Sequence, residues 1–198
     1  FNALAWLSFP AAKGAINAQH AALLAERGDV EARARSVERD VLTLFDEGGI
    51  AIACADPALA EAIRAFRWRE LFWERRADCA AKLRCFLFGH GQLEKALDPY
   101  VGVTAHAILV PVGEVFLAAS REAQVVTLDH HLARWLGDRR NLSGTHHLHP
   151  FPYLGFPGWF AANAEPAFYD NPRYFRAGRG LAHRAAAGAQ ESPLPRVG

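Results

Sequence analysis

Apolar residues repeat with helical spacing over much of the chain. The segment 10–27 starts at Pro10 and stops at Gly28, the residues that commonly begin and end helices, and it predicts a helix that carries His20 on one face. The charged, alanine-rich segment 29–39 predicts a short second helix. The same periodicity predicts four more helices, over 58–66, 68–76, 79–97 and 130–136. Asp56 and Asp129 are the expected N-caps of the first and last of these four.

Three apolar runs rich in β-branched residues instead predict strands. Val41–Phe45 and Ile50–Cys54 flank the short connection Asp46-Glu47-Gly48-Gly49, and this arrangement predicts a hairpin. Val103–Val110 is apolar on both faces except for Thr104 and His106, so it predicts a central strand with these two side chains on one side.

Periodicity ends after residue 143. Glycine, proline and aromatic residues dominate 144–176 and predict an ordered coil wrapped on the domain, whereas 177–198 lacks large apolar residues and predicts a disordered tail. The expected fold is therefore α+β, a helix-rich single domain over 1–176 with a small mixed β-sheet and a long aromatic and proline-rich C-terminal coil.

The composition of the chain argues against two classes of partner, nucleic acids and membranes. Of 198 residues, 51% are hydrophobic and 22% charged, with a net charge of +1, as in ordinary globular domains. A nucleic-acid partner is not expected, because such proteins carry a basic excess. No apolar run reaches the roughly 20 residues of a membrane-spanning helix, so no membrane partner is expected. Residues 1–10 lack the features of a signal peptide and indicate a trimmed N-terminus.

The three cysteines, Cys54, Cys79 and Cys85, are odd in number, lie in apolar stretches and contain no CxxC spacing. This usage favours reduced thiols over a disulfide framework. We therefore expect a cytoplasmic protein.

Histidines beside a carboxylate form the first candidate site. If 79–97 is helical, His90 and Glu94 lie one turn apart on one face, and a short connection through Pro99 and Gly102 brings His106 over them. Two imidazoles and a carboxylate suit a divalent metal, zinc or iron. The alternative is structural: His90 caps a helix end, Glu94 pairs with Lys95 or Arg84, and His106 is a core histidine satisfied by a backbone carbonyl.

Acidic residues after the first strand form the second candidate site. Asp46 and Glu47 can act as general bases or ligands, and His20 on the first helix can act as a base. The alternative is that Asp46 is a turn residue, Glu47 is solvated and His20 lies on an exposed polar face. Neither a Walker loop nor a dinucleotide or Gly-x-Ser-x-Gly motif occurs, so the common nucleotide-dependent and serine-nucleophile chemistries are not expected.

A series of short motifs runs through most of the chain. They are Asn2-Ala3-Leu4 with Trp6 and Phe9-Pro10, Leu42-Thr43-Leu44-Phe45-Asp46-Glu47, Trp68 with Leu71-Phe72-Trp73, Phe88-Gly89-His90 with Leu93-Glu94-Lys95, Gly102-Val103-Thr104-Ala105-His106-Ala107, Leu154-Gly155 with Pro157-Gly158-Trp159, and Phe168-Tyr169-Asp170 with Phe175-Arg176. In this order they resemble the bacterial family DUF3025, a domain of unknown function. The resemblance implies a single bacterial domain, located in the cytoplasm, but no activity.

Three functions remain open on this sequence. The first is a metal-dependent, hydrolase-like enzyme that uses His90, Glu94 and His106 with Asp46 or Glu47 nearby and acts on a small molecule. The second is a non-catalytic protein- or ligand-binding domain that uses the aromatic segments 68–73 and 155–159. The third is a single-stranded nucleic-acid binder that uses the arginines and aromatics of 64–84, although acidic residues there offset the charge.

Overall fold

Helices make up most of the structure. The computed structural model describes residues 1–31 and 36–178, without the side chains of residues 27–31. The α-helices in these residues are α1 (Asn2–Ser8), α2 (Pro10–Glu31), α3 (Val37–Gly48), α4 (Pro57–Arg64), α5 (Arg76–Lys82), α6 (His90–Lys95), α7 (Glu114–Ala118) and α8 (Arg121–Gly137). A π-helix, Glu70–Glu74, precedes α5, and short 3-10 turns occur after residue 138. In this part of the chain no helix is long and apolar enough to cross a membrane.

The strands form one four-stranded mixed sheet. They are β1 (Gly49–Cys54), β2 (Leu83–Leu87), β3 (Ala105–Pro111) and β4 (His149–Phe151), in the spatial order β2-β1-β3-β4. Strand β1 pairs antiparallel with β2 and parallel with β3, and β4 pairs antiparallel with β3. The predicted fold class is confirmed, and so is the interior position of β3.

The sheet separates two hydrophobic cores, because alternate residues of each strand point to opposite faces. On one face, Ile50 and Ile52 of β1 pack with α4, the π-helix and the C-terminal aromatic residues. On the other face, Ala51 and Ala53 pack with α2, α3 and α8. Strands β1, β2 and β3 therefore contribute to both cores, whereas β4 contributes Phe151 to the first.

The predicted hairpin over Val41–Cys54 is wrong. Val41–Phe45 belongs to α3, and only Ile50–Cys54 is a strand. The helix starts at Ser36, whose hydroxyl accepts a hydrogen bond from the backbone N–H of Arg39. Val41, Leu42 and Phe45 then share the buried side of the helix. Burial of this face outweighs the β-propensity of the residues.

The predicted continuous helix over 79–97 is also wrong. It contains three elements: α5, the strand β2 and the short helix α6. Leu83–Leu87 pairs with β1, and its buried residues Leu83, Cys85 and Phe86 divide between the two cores. The helical spacing of apolar residues in this segment arises from sheet residues that are buried on both faces.

Asp129 is not the N-cap of a helix that starts at residue 130. Helix α8 starts earlier, after Ser120, whose hydroxyl accepts from the N–H of Ala123. Asp129 lies inside α8, 5% exposed, and its carboxylate accepts hydrogen bonds from the N–H groups of Ala11 and Ala12. It therefore caps the N-terminus of α2, a different helix.

The C-terminal coil is ordered, as predicted. Asn163 is 1% exposed and donates to the carbonyl oxygens of Leu154 and Phe156, both at 2.7 Å. Arg76 of α5 donates to the Asn163 carbonyl and to the Tyr169 hydroxyl, both at 3.0 Å. These bonds hold the coil across the sheet. The predicted helix over 29–39 lies in part, and the predicted tail 177–198 almost entirely, outside the described residues.

Candidate active site

The C-terminal end of α3 meets the N-terminal end of α6 at a close backbone contact. The Gly49 carbonyl accepts hydrogen bonds from the N–H groups of Phe88 (3.0 Å) and Gly89 (2.9 Å). A Cβ on Gly89 would lie 2.5 Å from the Glu47 carbonyl oxygen, so no side chain fits there. This junction places His90, the first residue of α6, against Asp46 in the last turn of α3.

His90 is held in one orientation by Asp46. Its Nδ1 lies 3.0 Å from the Asp46 carbonyl oxygen and 4.0 Å from the Asp46 Oδ2. Because a carbonyl oxygen can only accept, the neutral imidazole carries its proton on Nδ1. Nε2 then holds the lone pair, and the side chain is 35% exposed. The ring can therefore take up a proton or bind a metal through Nε2.

Asp46 is itself fixed by a buried lysine. Lys13 of α2 is 3% exposed, and its Nζ donates to Asp46 Oδ1 at 2.5 Å and to Asn2 Oδ1 at 2.8 Å. The ammonium also lies 5.6 Å from the centre of the Trp6 ring. A buried charge is costly unless it is paired, and here the carboxylate, the amide and the ring together accommodate it. Residues from α1, α2, α3 and α6 thus form one polar cluster, Asn2–Lys13–Asp46–His90.

His20 lies within electrostatic range of this cluster. Burial and then the neighbouring Arg39 guanidinium lower the pKa of His20, and the Asp46 carboxylate partly opposes them. A lowered pKa favours the neutral imidazole near pH 7. The structure thus places two of the predicted site residues, Asp46 and His90, in contact, and the charge of Asp46 also acts on His20.

Glu47 and Glu94 do not join the cluster. Both are exposed, and neither carboxylate forms a hydrogen bond or ion pair with any described residue. Glu94 therefore does not pair with Lys95 or Arg84, the structural role that the sequence left open for it.

His106 lies beside Gly48 and Gln92. A Cβ on Gly48 would lie 3.0 Å from His106 Cδ2 and 3.6 Å from Gln92 Nε2. Gln92 is 2% exposed and donates to the Thr104 carbonyl at 3.0 Å, while its Oε1 has no partner among the described residues. Burial, followed by the charge of Lys95, lowers the pKa of His106.

The predicted metal ligands do not fit a metal as a set. Within residues 1–31 and 36–178, no three His, Cys, Asp or Glu side chains are placed to hold one ion. His90, Glu94 and His106 are therefore not a preformed three-ligand site. In addition, the Lys13 ammonium already occupies one oxygen of Asp46, where a cation would otherwise bind.

The aromatic segments predicted as a binding surface lie mostly in the core. Trp68 is 4% exposed and Phe72 is fully buried, and Trp73 and Trp159 pack partly buried against the same core. The Trp68 ring donates its Nε1–H to the Arg176 carbonyl at 2.8 Å. Little of this aromatic surface is left for a partner.

The basic side chains of segment 64–84 are engaged within the molecule. Arg75 and Lys82 both bind Asp56 and Asp78, and Arg67 pairs with Glu70. Arg69 pairs with Asp170, and Arg84 donates to three backbone carbonyls. The predicted offset of the positive charge by acidic neighbours is present in the structure.

Sequence reasoning missed Lys13 and Asn2 as site residues. A lysine at the spacing of the buried Phe9, Ala12 and Ile16 was an available signal, because lysine is seldom buried without a partner. Asn2, Asp46 and His90 each belong to a separate motif of the resemblance described above. The structure brings these distant motifs together around one ammonium group.

Comparison with known proteins gives one match. A family model described as a protein of unknown function, DUF3025, covers residues 1–179. No curated protein and no solved structure matches the sequence.

Proposed function

The chain belongs to the DUF3025 family, and we propose that it is a hydrolytic enzyme in which His90, oriented by Asp46, acts as a general base toward a small substrate. The observation that carries this proposal is the 3.0 Å contact between His90 Nδ1 and the Asp46 carbonyl. It fixes the tautomer whose Nε2 accepts protons, and a base held by a third group is the arrangement that general-base catalysis needs.

The neighbouring charges support this role. The Asp46 carboxylate lies beside the ring, with its Oδ2 4.0 Å from Nδ1. Lys13 and Asn2 hold that carboxylate in place, so they are positioning residues rather than catalytic ones. His20, kept neutral by its lowered pKa, can supply a second proton-transfer group.

The chemistry that this cluster can perform is activation of water. Nε2 of His90 removes a proton from a water molecule, and the hydroxide attacks the electrophilic centre of the substrate. The bond to the leaving group then breaks, and the imidazolium returns its proton to that group. The protons balance within the cluster, and no other reactant is needed.

The proposal also places the protein in the bacterial cytoplasm. Cys54, Cys79 and Cys85 are buried free thiols, which supports a reducing compartment. We do not propose the second function, a binding surface on the aromatic segments, because Trp68 and Phe72 are buried.

The test compares His90→Gln and Asp46→Asn with wild type on a panel of chromogenic esters, amides and phosphoesters. His146→Gln is the matched control, because His146 is an exposed histidine outside the cluster. We expect His90→Gln to lower the hydrolysis rate by about a hundredfold or more, the usual contribution of a general base. Nitrogen NMR of wild type should show the His90 proton on Nδ1.

Two results would overturn this role. If His90→Gln hydrolysed the substrates at the wild-type rate, His90 would be excluded as the general base. Elemental analysis that found stoichiometric metal in native protein, lost in both His90→Ala and His106→Ala, would replace it with the metal-dependent form of the enzyme.

A further inference from the structure

A groove of about 850 Å³ lies between α1, the start of α2 and α8. Its walls are the end of α1, the start of α2 and the first half of α8, and Leu7, Pro10, Ala11, Val125 and Val126 line it. We call it the α1–α8 groove. Asp129 also lines it, but both of its carboxylate oxygens are used by the N–H groups at the start of α2. The interior of the groove is therefore mainly apolar.

Two of the apolar side chains that line the groove protrude into solvent. Leu7 is 80% exposed and Val126 is 58% exposed. A protruding leucine beside an apolar hollow exposes apolar surface to water, and a partner that covers both would remove this cost. The same patch thus contains both a knob and a hole.

The rim of the groove carries one charge of each sign, on adjacent residues. The Arg121 guanidinium lies 3.6 Å from the centre of the Phe86 ring and donates to the Cys85 carbonyl at 3.1 Å, which fixes its position. It has no carboxylate partner in the described part of the chain. Beside it, hydrogen bonds from its own N–H and from Ser120 lower the pKa of Glu122, which is therefore ionised at neutral pH.

We infer that the α1–α8 groove binds a second copy of this chain in a twofold dimer. In a twofold interface the same patch meets itself, so each feature must find its complement within that patch. Leu7 of one chain fills the hollow beside Val125 of the other. Arg121 of one chain pairs with Glu122 of the other, and the symmetry repeats both contacts. A small ligand with one charged group would leave one of the two rim charges, Arg121 or Glu122, without a partner.

The apolar part is tested by sedimentation of Leu7→Asp and Leu97→Asp beside wild type over a range of concentrations. Leu97 is a matched control, because it is 76% exposed and lies outside the groove. We expect wild type and Leu97→Asp to show twice the mass of one chain at high concentration. Leu7→Asp should weaken dimerisation at least about tenfold, since a buried charge costs more than 1.4 kcal/mol.

The charge part is tested with Arg121→Glu and Glu122→Arg, each checked by circular dichroism for its fold. Alone, each variant places like charges across the twofold axis and should remain monomeric. Mixed in equal amounts, they restore opposite charges at both contacts and should form a heterodimer. This rescue is specific to self-association, because a foreign partner would not require both variants.

The inference is overturned if wild type sediments as a monomer at all concentrations, or if Leu97→Asp weakens association as much as Leu7→Asp does. It is also overturned if the mixed charge variants stay monomeric while each keeps its fold. Capture of an apolar or anionic small molecule by monomeric wild type would assign the groove to a ligand instead.

Discussion

Asp129 shows how one side chain can join two helices that are distant in sequence. Its two carboxylate oxygens accept from Ala12 at 2.8 Å and from Ala11 at 2.9 Å, while its own backbone belongs to α8. The first N–H groups of a helix lack partners within the helix, and a carboxylate also favours the positive end of the helix dipole. Because the group is buried, water cannot replace it.

We therefore expect Asp129→Ala to lower the free energy of unfolding by about 2–3 kcal/mol, the upper range for loss of a cap that leaves buried donors unpaired. Asp138→Ala is the control. Asp138 also caps a short helix, but its side chain is 33% exposed, so water can replace the cap and the loss should be clearly smaller than in Asp129→Ala. Urea unfolding measures both values. Equal losses in the two variants would contradict the bridging role of Asp129.

His106 gives the stability of the protein a pH dependence of known sign. Burial, then Lys95, lowers its pKa in the folded state from the ordinary 6.5. The unfolded chain therefore binds a proton more readily, and the contribution of neutral His106 is present above pH 6.5 and lost as the pH falls toward the folded pKa. The same sign applies to His20, His131 and His149.

Replacement of His106 by Asn should remove the part of the pH dependence of the unfolding free energy that comes from His106. Unfolding in urea at about pH 7.5 and about pH 5.5 gives the fall in free energy for each protein. We expect a smaller fall in His106→Asn than in wild type. A fall as large as in wild type would show that His106 is not desolvated as the structure indicates.

At the scale of elements, the junction of α3 and α6 depends on the absence of a side chain at Gly89. Its backbone angles are ordinary for any residue, φ −63° and ψ 127°, so the requirement is steric. Gly14 in α2 is the opposite case, because a Cβ there would meet nothing within 4 Å.

Gly89→Ala should cost about 3 kcal/mol, because its Cβ would lie 2.5 Å from two backbone atoms that cannot move independently. Gly14→Ala should instead stabilise the protein by about 0.5–1 kcal/mol, since alanine is the better helix former. Thermal unfolding of the two variants beside wild type checks both signs. A neutral Gly89→Ala would mean that the α3–α6 contact is looser than it is here.

The elements that the sequence predicts correctly are those determined by local signals, and the elements predicted wrongly are those determined by distant contacts. The helix from Pro10, the Asp56 cap and strand β3 have local signals, and all three are present. Val41–Phe45 and Leu83–Leu87 exchanged their predicted types, because each is short and apolar. Their conformations depend on which face is buried and on a distant strand as partner, and neither is encoded in local spacing.

The candidate site also combines residues with local signals and residues whose partners are distant in sequence. Asp46, His90 and His20 are predicted from residue type and neighbourhood; the structure places His90 against Asp46, and the charge of Asp46 also acts on His20. Glu94 and His106 were grouped with His90 because a continuous helix and an adjacent strand seemed to bring them over one point. His90 and Glu94 do share the short helix α6, but among the described residues no three such side chains are placed to hold one ion. Lys13 was missed because its partners lie 11 and 33 residues away.

At the scale of the whole molecule, one sheet is shared by two cores. Asn163 and Arg76 hold the aromatic coil against one face, while α2, α3 and α8 cover the other. Loss of either core exposes strands that the other core needs. We therefore expect residues 1–176, predicted to be one domain, to unfold in a single cooperative transition.

The five tryptophans allow this prediction to be measured, because Trp68, Trp73 and Trp159 all pack against the aromatic core. In the double variant Trp6→Phe/Trp135→Phe, fluorescence reports only that core, whereas far-ultraviolet circular dichroism is dominated by the helices. The two midpoints in urea should coincide, as in wild type. If fluorescence changed at lower urea than circular dichroism, the coil and its core would be a separately unfolding unit, and the sheet would not couple the two faces.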